Sequence, residues 1–249
     1  MSFKDHFSGH AASYARSRPG YPAALFAWLA QVAPRREHAL DCGTGSGQAA
    51  VALAAHFARV VATDPSAEQI AHATAAPNVE YRVAPGERSG LPDGWADVVT
   101  VAQALHWFDL PRFWPEVERV LAPGGVFAAW TYWLMHVSSE VDATLERFYT
   151  GEIAPYWPPE RKMVDDGYAS LRFPYAPLDV PAFEMTLEWT LDEVLAYLRT
   201  WSAVQAFRRE TDRDPVAAAE AELAAAWGAR GAVRTVRWPL TVRAVRRPA

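Results

Sequence analysis

Residues 38–47 constrain the fold more than any other part of the sequence. A short apolar run ends at Asp41, and three glycines then alternate with small polar residues. Beyond the turn, apolar residues recur at helical spacing, at Ala50, Leu53, Ala54 and Phe57. This pattern predicts a strand, a tight glycine turn and a helix. Glycine accepts positive φ and lets a ligand approach the bare backbone, and amides at the start of a helix face such a ligand.

The spacing of the glycines narrows the ligand that this turn can bind. The dinucleotide fingerprint G-x-G-x-x-G/A would place Gln48 at its third glycine position, so that pattern fails. The phosphate-binding P-loop fails as well, because no Gly-Lys-Ser/Thr follows. An acid at the end of the strand would repel a pyrophosphate but suit a cationic ligand. A sulfonium that also carries an amino group fits that charge.

The run Asp41-Cys42-Gly43-Thr44-Gly45-Ser46-Gly47 resembles the first motif of class I S-adenosylmethionine-dependent methyltransferases. The resemblance implies a Rossmann-like α/β sandwich with a seven-stranded, mostly parallel sheet, an antiparallel late strand and a helical lid. It also implies S-adenosylmethionine as the cofactor, its methionine part held by Asp41, Gly43, Thr44, Gly45 and Gly47. An NAD-dependent oxidoreductase and a non-catalytic cofactor-binding protein of the same fold stay open as alternatives.

A second acid follows at the end of the next strand, which we predict over residues 60–64. Asp64 at that position can accept hydrogen bonds from both hydroxyls of a ribose. The alternative is a helix cap, a role that Ser66 can fill instead. We therefore predict that Asp64 binds the ribose and that Pro65, directly after it, borders the cofactor. This residue does not separate a methyltransferase from a dehydrogenase, whereas the glycine spacing does.

The third strand, predicted over residues 79–84, departs from the family pattern. In the family this strand end often carries an aspartate that meets the adenine amino group, and here Pro85 stands in its place. The resemblance therefore leaves the adenine contact to Gly86 and Glu87.

The fourth strand, predicted over residues 96–102, is apolar almost throughout, as expected for a strand buried on both faces. It leads into Gln103-Ala104-Leu105-His106-Trp107-Phe108. Ligands bind at the carboxyl ends of strands in open α/β sheets, so this loop points at the reaction centre. The loop resembles that of methyltransferases related to trans-aconitate methyltransferase. We predict that Gln103 and Ala104 contact the cofactor and that Trp107 contacts the substrate.

His106 is the best candidate for a general base by position. The alternative is that it only hydrogen-bonds the loop or the substrate. Methylation of an ionised carboxylate needs no base, because holding the nucleophile in line with the S–CH₃ bond is enough.

The N-terminal pattern Tyr14-x-x-x-Arg18-Pro19-x-Tyr21-Pro22 resembles the arm that precedes the first motif in the same small-molecule methyltransferases. There the arm borders cofactor and substrate. We predict that Tyr14 and Arg18 bind the substrate, because arginine is suited to clamp a carboxylate. The resemblance suggests a small-molecule acceptor, with a carboxylate as one candidate.

We predict one domain in four parts: an N-terminal arm and helix (1–34), a cofactor-binding core (35–132), a lid insertion (133–182) and C-terminal strands and helices (183–249). Within the core, Leu-x-Pro-Gly-Gly at 121–125 predicts a helix stop before a strand at 126–131. Within the lid, Trp133, Tyr156 and Trp157 are candidates to line a substrate pocket or to hold the lid to the body. In the last part, one helix is expected to run from Thr190 or Asp192 through Trp201.

Bulk properties exclude several partners. The net charge of −5 offers no basic surface for a nucleic acid, and no apolar run approaches the roughly 20 residues of a membrane span. The N-terminus lacks the apolar core of a signal peptide, and the single cysteine, Cys42, gives no disulfide framework, so we expect the cytoplasm. His6 and His10 have no acid or cysteine cluster beside them, so no metal site is expected. The oligomeric state is left open.

Overall fold

The computed structural model describes residues 19–249. The predictions for Tyr14, Arg18, His6 and His10 lie outside these residues. The strands are β1 (His38–Cys42), β2 (Arg59–Asp64), β3 (Val79–Val83), β4 (Ala96–Ala102), β5 (Leu121–Tyr132), β6 (Ala176–Pro177), β7 (Phe183–Trp189) and β8 (Arg234–Arg246).

The α-helices of the described residues are α1 (Ala23–Val32), α2 (Gln48–Ala54), α3 (Ala67–Ala71), α4 (Leu110–Val120), α5 (Ser139–Thr150), α6 (Arg161–Asp165), α7 (Leu191–Leu198), α8 (Ser202–Thr211) and α9 (Pro215–Trp227). Two short 3₁₀ turns, Leu105–Trp107 and Ala154–Tyr156, lie in loops. No helix of this part of the chain is both long enough and apolar enough to cross a membrane.

All strands belong to one sheet with the order β3-β2-β1-β4-β5-β8-β6, and β7 also pairs with β8. The first five strands are parallel, β8 is antiparallel to β5, and β6 and β7 are antiparallel to β8. Seven strands have five or more residues, and β6 adds a two-residue strand. The predicted fold class is confirmed. The strand order reverses between β1 and β4, and such a switch point opens a ligand crevice at the carboxyl ends of the strands.

The sheet is covered on both faces, which explains why its central strands are apolar runs. One face carries Leu40, Val99 and Phe127 and packs against α4 and the segment around Val164 and Tyr168. The other face carries Ala39, Val98 and Ala128 and packs against α1 and α2. Alternate residues of one strand therefore serve two different cores.

A third cluster packs α5, α7, α8 and α9 against β7 and the start of β8. Its largest side chains are aromatic and buried, among them Trp201, Trp227 and Trp238. Much of the high tryptophan content of the chain, 11 residues in all, is used here. We call α5, α7, α8 and α9, together with residues 154–165, the helical layer.

Two of the predicted helices are wrong in extent. The pattern after Asp64 predicts a helix from about Ser66 to Ala75, but α3 ends at Ala71, because the Thr74 amide donates to the Ser46 carbonyl (3.0 Å) and joins the glycine turn. The helix expected to run through Trp201 ends at Leu198, and α8 begins anew at Ser202. At the break Trp201 is extended (φ −67°, ψ 138°), and its buried ring contacts four aromatic rings of the helical layer.

The Pro-Gly-Gly segment also differs from its prediction. α4 ends at Val120, but residues 121–125 form the first part of β5 instead of a turn before it. Leu121 pairs with Ala96, and the register then shifts before Val126 pairs with Val98. Gly124 has φ +74°, so the glycine absorbs the irregularity within the strand.

Candidate functional site

The glycine turn lies at the carboxyl end of β1 and has the predicted backbone geometry. Gly43, Gly45 and Gly47 have φ values of +68°, +55° and +87°, which only glycine adopts without strain. The amides of Gly43 and Thr44 both donate to the Thr63 carbonyl (2.8 and 3.0 Å), and the Gly47 amide donates to Thr44 (2.9 Å). These amides are used inside the protein, so the turn offers a ligand its bare Cα surface instead of these donors.

Close packing around the Phe108 ring leaves no room for a side chain at Gly43 or at Gly86. A Cβ at Gly43 would lie 2.8 Å from Ala104 Cβ and 3.1 Å from Phe108 Cζ. A Cβ at Gly86 would lie 2.7 Å from Phe108 Cε2. The ring of Phe108 therefore lies against both the glycine turn and the end of β3. Sequence reasoning missed Phe108 as a site residue, although it ends the loop that was singled out.

Asp41 is fully buried beneath the turn. Its two carboxylate oxygens accept hydrogen bonds from the hydroxyls of Thr44 (2.6 Å) and Thr100 (2.7 Å), and Thr100 is its register partner on β4. Burial raises the pKa of Asp41 to about 6, and the negative charge of Asp64 adds to the rise. Neither hydrogen-bond partner carries a positive charge. A cationic ligand beside this carboxylate would stabilise its ionised form.

Asp64 ties the end of β2 to the glycine turn. One oxygen accepts from the Gly45 amide (2.9 Å) and the other from the Ser66 amide (2.9 Å). Ser66 caps α3 through its hydroxyl, which accepts from the Gln69 amide (3.2 Å), so the helix-cap role belongs to Ser66. An ionised carboxylate has about four acceptor positions, so these bonds are compatible with the predicted ribose contact. Pro65, which lies between Asp64 and Ser66 in the chain, is half-buried.

Glu87 connects the end of β3 to the start of α4. Its Oε1 accepts from the Asp109 amide (2.7 Å), directly before α4. This bond holds Gly86 beside the Phe108 ring. Glu87 therefore positions the loop, and its contact with adenine stays a prediction.

Gln103, at the end of β4, has φ +54°, an uncommon conformation for a residue with a side chain. Its Oε1 accepts from the Thr131 hydroxyl (2.5 Å) and the Tyr132 amide (3.2 Å), and its Nε2 donates to the Tyr132 carbonyl (3.2 Å). The backbone amide of Gln103 donates to the Trp130 carbonyl (2.9 Å). These bonds hold the strained residue on the end of β5. Strain of this kind is concentrated at ligand sites.

His106 is buried, with 7% of its surface exposed. Its Nδ1 lies 3.3 Å from the hydroxyl of Tyr168, and its ring contacts Trp107 at 4.6 Å between centroids. Burial lowers the pKa of His106 to about 3, and the positive charge of Arg161 adds to the effect. The imidazole is therefore neutral near pH 7 and a weak base. Its properties favour a positioning role over general-base catalysis, which needs a pKa near the working pH.

One pocket brings together several of the predicted residues, and we call it the aromatic pocket. It is lined by Gln103, His106, Trp107, Tyr132, Trp133, Trp157, Pro158, Arg161, Tyr197, Trp201 and Ser202. Tyr156, a candidate from the sequence, instead packs on Phe207 at 5.1 Å between centroids. Sequence reasoning missed Arg161, Tyr197 and Trp201. No spacing along the chain signals that α6, α7 and the start of α8 meet the loop after β4.

A metal site is not evident in residues 19–249, where no group of three or more His, Cys, Asp or Glu side chains is placed to hold an ion. Cys42 is buried, and burial raises the pKa of its thiol well above its usual range, so it is not a nucleophile at neutral pH.

Comparison with known proteins decides the family. A family model described as a methyltransferase domain matches residues 40–129. A Dictyostelium discoideum protein assigned as a methyltransferase is 36% identical over 216 residues, covering 85% of this chain and 82% of that protein. The chain belongs to the class I S-adenosylmethionine-dependent methyltransferases. This membership removes the NAD-dependent oxidoreductase that the glycine turn left open.

Other relatives of the methyltransferase agree. A solved structure described as a type II methyltransferase from Anaeromyxobacter dehalogenans is 52% identical, with a TM-score of 0.88, covering 93% of this chain and 99% of that one. An uncharacterised methyltransferase of Mycobacterium tuberculosis is 41% identical over 120 residues, which is 49% of its length. A Haemonchus contortus phosphoethanolamine N-methyltransferase, solved with S-adenosylhomocysteine, shares the fold at 17% identity, with a TM-score of 0.53, covering 100% of this chain and 61% of that one.

The cofactor of the methyltransferase is S-adenosylmethionine, and the geometry of the glycine turn fits it. The turn leaves no room for a side chain at Gly43, and beneath it lies a buried carboxylate that has no cationic partner in the hydrogen bonds described. Asp41 would face the cationic methionine part, and Asp64 would hold the ribose.

Proposed function

We propose that this methyltransferase transfers a methyl group to a small molecule that binds in the aromatic pocket. The observation that carries the proposal is the two-sided loop after β4. Ala104 and Phe108 face the glycine turn, where an added Cβ at Gly43 would lie within about 3 Å of both side chains. Gln103, His106 and Trp107, from the same loop, line the aromatic pocket. The loop after β4 would thus lie between the donor site and the acceptor site, with side chains of the loop facing each of them.

The residues of the chain have a simple task in this reaction. Bound S-adenosylmethionine supplies an electrophilic methyl group on a positively charged sulfur. The aromatic walls exclude water, and the loop holds the nucleophile of the acceptor in line with the S–CH₃ bond. Alignment of this kind supplies a large part of the rate enhancement in two-substrate reactions.

The state of His106 supports an acceptor that is already nucleophilic without loss of a proton. A neutral imidazole with a pKa of about 3 can donate or accept a hydrogen bond but is poorly matched to removing a proton at pH 7. An ionised carboxylate meets this condition. We therefore propose an O-methylated carboxylic acid as the product, in agreement with the likeness to methyltransferases related to trans-aconitate methyltransferase. The cytoplasmic location stays a prediction, based on the single cysteine.

The test is to incubate the protein with methyl-labelled cofactor and a metabolite extract and to identify the labelled product. We expect a label in small molecules that is released by mild alkali, as in a methyl ester. Asp64→Asn should lose the labelling together with cofactor binding. Asp93→Asn is the matched control, because Asp93 is an exposed acid that pairs with Arg119 and is not one of the predicted site residues. Labelled RNA or protein, or bound cofactor with no labelled product, would contradict the proposal.

A further inference from the structure

Arg161 is the one residue of the aromatic pocket lining that always carries a positive charge. Its Nε donates to the Tyr149 hydroxyl (3.0 Å) and lies 3.3 Å from Asp165 Oδ1. Within residues 19–249, its two terminal nitrogens have no hydrogen-bond partner, although only 20% of the side chain is exposed. A guanidinium has five N–H donors, so four of them are left for a ligand.

Two aromatic rings fix the orientation of this guanidinium. Its central carbon lies 4.9 Å from the centroid of the Trp157 ring and 5.6 Å from that of Tyr149. The two rings in turn contact each other at 4.7 Å between centroids. Because the plane of the fork is held before any ligand binds, little side-chain entropy remains to be lost on binding.

The lining of the aromatic pocket carries positive charge but no negative charge. Its lining contains no aspartate or glutamate. Asp165 lies behind Arg161, where it engages the Nε side and the Tyr149 hydroxyl. The positive charge of Arg161 also acts on His106, whose pKa is lowered by burial first and by this charge second. An anion in this pocket would meet a directed donor and no opposing carboxylate.

We propose that Arg161 is the specificity-determining residue that anchors a carboxylate or similar oxyanion of the acceptor while the flat apolar body of the acceptor lies against the tryptophans. This inference rests on the proposed function, in which the aromatic pocket is the acceptor site. Arg161 is separate from Arg18, the clamp predicted from the sequence. A planar fork can bind both oxygens of an oxyanion, which a neutral amide or ester cannot match.

The test measures binding to the protein loaded with S-adenosylhomocysteine, by calorimetry and by quenching of tryptophan fluorescence. The probes are benzoate, phenylacetate and 3-phenylpropanoate, each compared with its primary amide. For the wild type we expect at least one acid to bind about tenfold more tightly than its amide, since hydrogen bonds to charged groups exceed neutral ones by that order. Arg161→Gln should reduce the ratio to near one, and Arg161→Lys should give an intermediate ratio.

Arg213→Gln is the matched control, because Arg213 also pairs with an acid (Glu152, 2.7 Å) and also lies over a ring (Phe207, 5.4 Å), but does not line the aromatic pocket. It should leave the ratio unchanged. The proposal is overturned if no acid binds the wild type better than its amide. It is also overturned if folded Arg161→Gln keeps the preference.

The labelling experiment separates this inference from the proposed function. If the wild type labels small molecules and Arg161→Gln labels the acids among them equally well, Arg161 is not the anchor, but the proposed function stands. If the wild type binds the cofactor and labels nothing, the proposed function fails whatever the probes show.

Discussion

Asp41 should make cofactor affinity depend on pH, and this prediction follows from its burial. The pKa of Asp41 is raised from 3.8 to about 6 in the protein without ligand. At about 1.36 kcal/mol per pKa unit, this shift corresponds to roughly 3 kcal/mol of unfavourable ionisation in the folded state. Because the folded pKa lies above the unfolded one, the contribution of Asp41 to stability is fully present below pH 3.8 and is lost as the pH rises through about 6.

A cationic cofactor offsets this cost, since it binds best when the carboxylate is ionised. With a pKa of about 6, the ionised fraction of Asp41 rises about tenfold between pH 5 and pH 7 and then levels off. Cofactor affinity measured by calorimetry should follow the same curve. His106 should not interfere, because its pKa of about 3 keeps it neutral over this range.

Two variants sharpen the test. Asp41→Asn should bind the cofactor weakly and without this pH dependence. Thr100→Val removes a hydrogen bond that lowers the pKa of Asp41, so its affinity curve should move to higher pH. A wild-type affinity that is flat from pH 5 to pH 7, or an unchanged slope in Asp41→Asn, would refute the reasoning.

Three further predictions concern the turn, the loop and the helical layer. Gly43→Ala should lose cofactor binding and about 1–3 kcal/mol of stability, because φ is +68° and the new Cβ would lie 2.8 Å from that of Ala104. Gly90→Ala, with φ +70° but no atom within 4 Å, should show a smaller loss of stability in the same denaturation series and normal binding in calorimetry. His106→Asn should keep the rate of methyl transfer within about tenfold and flat from pH 6 to pH 8, whereas loss of a true general base costs about 10²–10⁴ in rate. Trp201→Ala should cost about 3–5 kcal/mol in chemical denaturation and weaken acceptor binding, because a buried aromatic anchor that lines the aromatic pocket is removed.

The sequence predicts the parallel half of the sheet well, because each buried strand is an apolar run bounded by turn residues. β4 is predicted with its observed bounds, Ala96–Ala102. The helix break at Trp201 was not predictable from local pattern. The apolar periodicity continues through it, while the extended Trp201 packs its ring on residues far away in the chain, such as Trp157.

The candidate site shows the same division. The glycine turn and the acids near the ends of β1 and β2 lie where the sequence places them, because these features depend on local chemistry. Residues of the aromatic pocket are missed in part, because Arg161 of α6 and Tyr168, which follows α6, reach the loop after β4 only through the fold. The hydrogen bond that the Asp109 amide donates to the Glu87 carboxylate was also unpredictable, since the residues are far apart in the chain.

The two-sided loop after β4 suggests how acceptor preference could diversify in such an enzyme. Substitutions at Gln103 or Trp107 alter a wall that the donor site shares, so most of them would impair both sites together. Trp157, Pro158 and Ser202 border the aromatic pocket from the helical layer alone. In directed evolution toward new acceptors, we therefore expect most productive substitutions among these residues of the helical layer and few in the loop after β4.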